Sequence, residues 1–182
     1  MSDKIFKSSV LLVDDEEEIL IVNEKMIKSE VDHVFTTTNP CEALEIVKKH
    51  RVDLAILDLK MPEMDGITLL SKLRLLSPNT SYFIYSAYGD KKSIQNALRI
   101  GIDDFIDKPC SIDYFKKAIK NALSKKQYEY LLSEIIEMLV SNCSQVSLQK
   151  FSQMSYKEKS KNINAILEIA KLKVFKRQNF YD

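Results

Sequence analysis

The sequence predicts an α/β protein with a parallel sheet covered by helices on both faces, and three observations predict it. Through the first two thirds of the chain, short β-type runs alternate with stretches of helical periodicity. The run LAIL, at 54 to 57, is apolar throughout and then stops on a lone Asp58, as a strand does when it buries its middle and delivers a carboxylate to a rim. Other β-type runs also stop on polar residues, so chemistry collects where the strands end.

The elements follow in order. Strands are predicted at Ser9 to Asp14 (SVLLVD), His33 to Thr37 (HVFTT), Leu54 to Asp58, Tyr82 to Ser86 (YFIYS) and Asp104 to Asp107 (DFID). Between them, helices are predicted at about Glu17 to Ser29, Cys41 to Lys49, Ile67 to Leu76 and Lys91 to Ile100, with a fifth beginning near Ile112. Asn39-Pro40 and Ser111 supply helix starts, because a short polar side chain can accept from the first free N–H groups and proline suits the first turn. Met61-Pro62 and Asp65-Gly66 mark a loop and a turn after the third strand. Successive β-α units of this kind wind into a sheet whose ligand site lies beyond the carboxyl ends of its strands, where the strand order reverses.

After Pro109 there is neither glycine nor proline. Residues 112 to 143 read as one long helix, with Ile112, Phe115, Ile119 and Leu123 and then Tyr128, Leu131, Leu132, Ile135, Leu139 and Cys143 at helical spacing. A weak break over 141 to 147 precedes Leu148, Phe151 and Met154, and a last helix is expected from about Tyr156 to Arg177. The expected organisation is therefore a first domain over 1–123 and an all-helical C-terminal extension over 124–182.

Composition sets bounds. The chain has 182 residues, 45% hydrophobic and 29% charged, enough for one well-buried domain and a small second module. No stretch of about 18 apolar residues occurs, and the N-terminus reaches an acidic cluster too soon for a signal peptide, so a cytoplasmic protein with no membrane segment is expected. Cys41, Cys110 and Cys143 are far apart, which suggests neither a disulfide framework nor a zinc site. Residues 1 to 123 carry 17 Lys+Arg against 20 Asp+Glu and residues 124 to 182 carry 10 against 6, so the tail is mildly basic.

The strand ends present Asp14 and Asp15, then Asp58, then Ser86-Ala87, and just past the fifth strand Lys108-Pro109. Three carboxylates in a small space repel one another unless a cation joins them, and oxygen donors alone favour Mg2+ or a similar hard ion. A metal ion, a hydroxyl and an ammonium together suit the three oxygens of a phosphoryl group. Each residue taken singly has a plainer explanation: Asp14 to Glu18 would favour a helix start, and Lys108-Pro109 would be a loop. It is the joint register of VDD, LDLKMPEMDG, SA and KP that points to one site.

On those motifs, the chain from about Ser9 to Ala122 resembles the receiver domain of two-component response regulators. The resemblance implies a flavodoxin-like (βα)5 fold, doubly wound, with Asp58 as the phosphoacceptor. It implies that Asp14, Asp15, Asp58 and the backbone carbonyl of Lys60 hold Mg2+ (or Mn2+), that Ser86 turns toward the phosphoryl group, and that Lys108 grips it. It also implies a cis bond before Pro109 and a switch role for Phe105. Lys60 and Tyr88, two residues after Asp58 and Ser86, stand at positions that in this family tune water access, and a long cation and an aromatic ring there imply slow dephosphorylation. The expected partner is a sensor histidine kinase or phosphotransfer protein, and the protein is expected to be a signalling phosphoacceptor rather than an enzyme.

His33 and His50 are isolated and are read as surface or core residues, and Cys110 as a small packed side chain. The tail has no GxxxxGK phosphate loop and no helix-turn-helix with its turn glycine. The favoured expectation is an interaction module that forms a phosphorylation-dependent homodimer or binds a partner protein. Alternatives are a small helical DNA-binding output using Lys171, Lys173, Lys176 and Arg177, with nucleic acid possible but not favoured, or the front part of a longer regulator whose effector domain is missing.

Overall fold

The structure, a computed structural model, describes residues 7–87, 89, 91–142 and 155, with the backbone alone described for 134–142. Tyr88, Cys143, the expected last helix and its basic cluster lie outside the described residues. The chain separates between Ser124 and Lys125, and residues 8–124 form one compact unit.

Strands β1 (Ser9–Val13), β2 (His33–Thr37), β3 (Leu54–Leu57), β4 (Ser81–Ser86) and β5 (Asp104–Asp107) alternate with helices α1 (Glu17–Ile27), α2 (Pro40–Lys49), α3 (Gly66–Leu76), α4 (Lys91–Ile100) and α5 (Ile112–Asn142). The strands form one sheet in the order β2-β1-β3-β4-β5, every neighbouring pair parallel. This is the doubly wound, flavodoxin-like arrangement expected, and its order reverses between β1 and β3.

Alternate residues of each strand feed two apolar layers. Leu11, Val13, Ala55, Leu57, Tyr82 and Ile84 pack with residues of α2, α3 and α4. Val10, Leu12, Leu54, Ile56, Phe83 and Ile106 pack with Leu20, Ile27, Phe115 and Ile119. That is why LAIL has no polar residue: both faces of β3 are covered, and each buried aliphatic side chain contributes roughly 1.5–3 kcal/mol.

The helix starts follow from local chemistry. Asn39 Oδ1 accepts from Cys41 N at 2.7 Å and Glu42 N at 3.4 Å, and Pro40 enters the first turn of α2. Ser111 Oγ accepts from Tyr114 N at 3.2 Å at the start of α5. Two expected strands end one residue early, leaving Asp14 and Asp58 just past β1 and β3; both still join the ladder through their own N–H groups, Asp58 to Val13 O at 2.9 Å and Asp14 to Thr37 O at 3.4 Å. Among the described residues, no helix is long and apolar enough to cross a membrane.

Candidate functional site

The switch point brings Asp14 and Asp58 together, one from each side of the reversal, and sends Lys108 from beyond β5 to meet them. The Lys108 ammonium donates to Asp14 Oδ2 at 2.5 Å and to Asp58 Oδ1 at 2.9 Å. Both carboxylates are buried, Asp14 4% and Asp58 7% exposed. Burial pushes the Asp14 carboxyl above its ordinary value, and Asp58 nearby adds to this, against the pull of Lys108. Burial opposes the Lys108 charge too, but the hydrogen bonds it donates to Asp14 and Asp58 outweigh this and hold the pKa of the ammonium above its ordinary value. Two carboxylates and one ammonium leave the cluster net negative.

The loop after β3 orients Asp58 from the other side. Lys60 N donates to Asp58 Oδ2 at 2.6 Å, so each carboxylate oxygen of Asp58 has a donor of its own. Gly66 N donates to Leu59 O at 2.9 Å as the loop folds back. A methyl group on Gly66 would fall 2.1 Å from the Asp58 carbonyl oxygen, so no other residue fits without moving the strand end. Asp65, read as half of a turn, is the N-cap of α3, with Oδ1 accepting from Thr68 N and Oδ2 from the Thr68 hydroxyl, each at 2.9 Å. Burial raises the Asp65 pKa, but the Thr68 hydrogen bonds outweigh it and hold the carboxyl below its usual range.

Ser86 is fully buried at the end of β4, and its carbonyl accepts from Lys108 N at 3.1 Å. The hydroxyl-bearing and ammonium-bearing residues are thus tied through the backbone. The Lys108-Pro109 bond is cis. Phe105 is half-buried against the α2–α4 layer, and its ring lies over Gly89, where an added methyl would stand 2.6 Å from Phe105 Cζ.

Two contributors, Tyr85 and Asn23, escaped the sequence reading, and Cys110 takes the packed place expected of it. The Tyr85 ring lies 5.3 Å from the Lys108 ammonium and 4.8 Å from the Phe115 ring, and burial pushes its hydroxyl up to about 12. Cys110 Sγ donates to the Tyr85 hydroxyl at 3.9 Å, which makes Cys110 a packed neighbour of the site. Asn23, on the buried side of α1, lines a small cavity with Asp14, Asp58, Tyr85 and the apolar Leu20 and Ile56. A polar residue within the apolar stripe from Leu20 to Ile27 was the available signal; Tyr85 gave none, since YFIYS reads simply as strand.

Of the expected residues, then, Asp14, Asp58 and Lys108 converge, with Ser86 one strand away. Asp15 and the Lys60 side chain are exposed, and Tyr88 lies outside the described residues. Among the described residues, no three His, Cys, Asp or Glu side chains are gathered closely enough to hold a metal ion. The donors nonetheless fit a hard divalent ion in their chemistry: two buried carboxylates turn toward one positive centre, with oxygen as the donor atom throughout.

Comparison with known proteins agrees with this geometry. Residues 10–120, more than half of the chain, match the family described as response regulator receiver domain. The chain is 34% identical over 122 residues to sporulation initiation phosphotransferase F of Bacillus subtilis, covering 67% of this chain and 98% of that protein. It is 32% identical over 116 residues to the chemotaxis protein CheY of the same organism, covering 63% and 97%. A CheY-like receiver domain protein from Methanospirillum hungatei superposes with a TM-score of 0.66 at 27% identity, covering 68% of this chain and 99% of that one. With its reversal point, paired acids and bridging lysine already in view, the chain belongs to the response regulator receiver domain family.

Proposed function

We propose that the protein is a two-component response regulator in which Asp58 receives a phosphoryl group from a sensor histidine kinase or phosphotransfer protein. The observation that carries this reading is the single ammonium of Lys108 held between the carboxylates of Asp14 and Asp58 at the reversal point of the sheet.

In the transfer, an oxygen of Asp58 forms a bond to phosphorus while the phosphorus–nitrogen bond of the donor phosphohistidine breaks. The bonding pair goes to the imidazole nitrogen, which takes up a proton. The Lys60 N–H orients the nucleophile, and Lys108 supplies a charge that can follow the phosphoryl oxygens, because its compact head sits on a flexible stem. Mg2+ (or Mn2+) would be held by Asp14, Asp15, Asp58 and the Lys60 carbonyl, and when bound it supplies charge neutralisation for the phosphoryl oxygens.

The new group carries about −1.5 to −2 of charge and favours the conformer that brings Lys108 and the Ser86 hydroxyl nearest to it. Phe105 then moves from half-buried to buried and reshapes the surface formed by α4, β5 and α5. Lys60 and Tyr88 slow the entry of water, so the phosphoryl group is lost slowly and the protein acts in the cytoplasm as a signalling phosphoacceptor, not as a turnover enzyme. The output is a dimer or partner complex made through the helical tail, supported by Tyr128 and Leu132, one turn apart on α5 and 73% and 57% exposed.

Incubation with acetyl phosphate and Mg2+, read by intact mass, tests the chemistry. Wild type is expected to gain one phosphoryl group and Asp58→Asn none; a gain that survives Asp58→Asn places the acceptor elsewhere. Light scattering with Mg2+ and beryllofluoride tests the output: the full chain is expected to dimerise and the Tyr128→Asp, Leu132→Asp double variant to stay monomeric.

A further inference from the structure

The Asn23 side chain is 4% exposed and has no hydrogen-bond partner among the described residues. A buried amide left this way is costly, on a helix face where leucine would have packed without penalty. Its surroundings supply the reason. The cavity it lines is partly open to solvent and has room for about one water molecule. A water held inside a protein needs two to four polar partners, and the walls offer them.

The Asn23 amide can both donate and accept. Asp14, which lines the cavity, keeps acceptor capacity, since Oδ1 accepts one bond, from Glu16 N at 3.2 Å, and Oδ2 one from Lys108. The Tyr85 hydroxyl accepts from Cys110 and keeps its own proton to donate.

We infer that this cavity is a binding site for one water molecule, through which Asn23 positions the Asp14 carboxylate. The water accepts from Asn23 and donates to Asp14, so α1 fixes the orientation of an acid that would otherwise be steered by Lys108 and Glu16 N alone. Asn23 is a positioning residue, acting on the site through Asp14. The water site stands on the geometry described; the positioning role rests on the proposed metal-holding function of Asp14.

The test compares the full-length protein with Asn23→Leu, Asn23→Val and Asn23→Ser. Water-oxygen magnetic relaxation dispersion counts long-lived internal waters, and amide shifts followed during Mg2+ titration give the ion's affinity. Both apolar variants are expected to fold, to lose one long-lived water, and to bind Mg2+ roughly tenfold more weakly. Asn23→Ser, which keeps a hydroxyl and leaves room, is expected to restore both. An unchanged water count in the apolar variants overturns the site. A lost water with unchanged Mg2+ affinity overturns the positioning role. If wild type itself binds no Mg2+, the metal reading fails with the positioning role, and the water count still decides the site.

Discussion

Asp53 and Asp58 flank the same strand, one at each end of β3, and both are buried. At the amino end, Asp53 Oδ2 accepts from Ser9 N at 2.9 Å and from the Ser9 hydroxyl at 3.1 Å, while Oδ1 takes Arg51 Nε at 2.9 Å and Nη2 at 2.7 Å. The same device recurs along that edge: Asp32 accepts from the backbone and hydroxyl of Ser8, and Asp103 from Tyr82 N. At the carboxyl end, Asp58 faces a second acid and shares one ammonium with it.

The difference lies in the kind of partner. A strand's first N–H groups point outward from the amino edge and are fixed, neutral donors, so an acid there closes the sheet and stays closed. The strand ends at the carboxyl edge offer carbonyls, which acids cannot use; Asp14 and Asp58 each take one backbone N–H from the loop that follows, and their remaining oxygens share a side-chain cation that can be displaced. One arrangement is structural and the other is poised for exchange.

Three predictions sharpen or break this contrast. Asp53→Ala is expected to destabilise the fold by about 2–3 kcal/mol in urea titration, since it leaves the buried Ser9 N–H without its acceptor, and to leave phosphoryl acceptance by the folded protein unchanged. Loss of acceptance without loss of stability would end the distinction between the two edges. Lys108→Ala is expected to tighten Mg2+ binding by about tenfold, or 1.4 kcal/mol, in calorimetric titration, because ammonium and ion compete for the same two carboxylates. Weaker binding would mean that Lys108 and the ion do not share a place.

The smallest effect concerns Asp65, an acid on the carboxyl side that is satisfied by Thr68, like those on the amino side. Asp65→Ala is expected to cost about 1 kcal/mol at neutral pH. Because its folded pKa lies below the ordinary 3.8, this contribution is fully present above that value and fades as pH falls through the folded pKa. Wild type and variant should therefore converge in acid, and a gap that persists there would assign the effect to packing.

Much of this was legible in the sequence because a parallel sheet places consecutive strand ends on one edge. Knowing that β1, β3, β4 and β5 end near Asp14, Asp58, Ser86 and Lys108 was enough to gather the site. Mutual repulsion among the acids called for a cation, but repulsion does not say which cation, and in this structure Lys108 lies between two of them while Asp15 faces outward. Asp32, Asp53 and Asp103 drew no notice, since an acid before a strand looks like any polar loop residue until its backbone partner is known. Asn23 and Tyr85 escaped for the converse reason: their elements were recognised by apolar pattern, and a polar group inside such a pattern shows its purpose only across the space it faces.

The close approach of Gly66 to the Asp58 carbonyl sets a tolerance for this edge of the sheet. The Asp58 peptide and the first residue of α3 come so close that there is no slack for a methyl group between them. Motion originating at Asp58 therefore has one stiff route outward, along α3, and one compliant route, through the Lys108 stem. The proposed phosphoryl transfer, which needs Asp58 held still while the surrounding charge rearranges, has use for both.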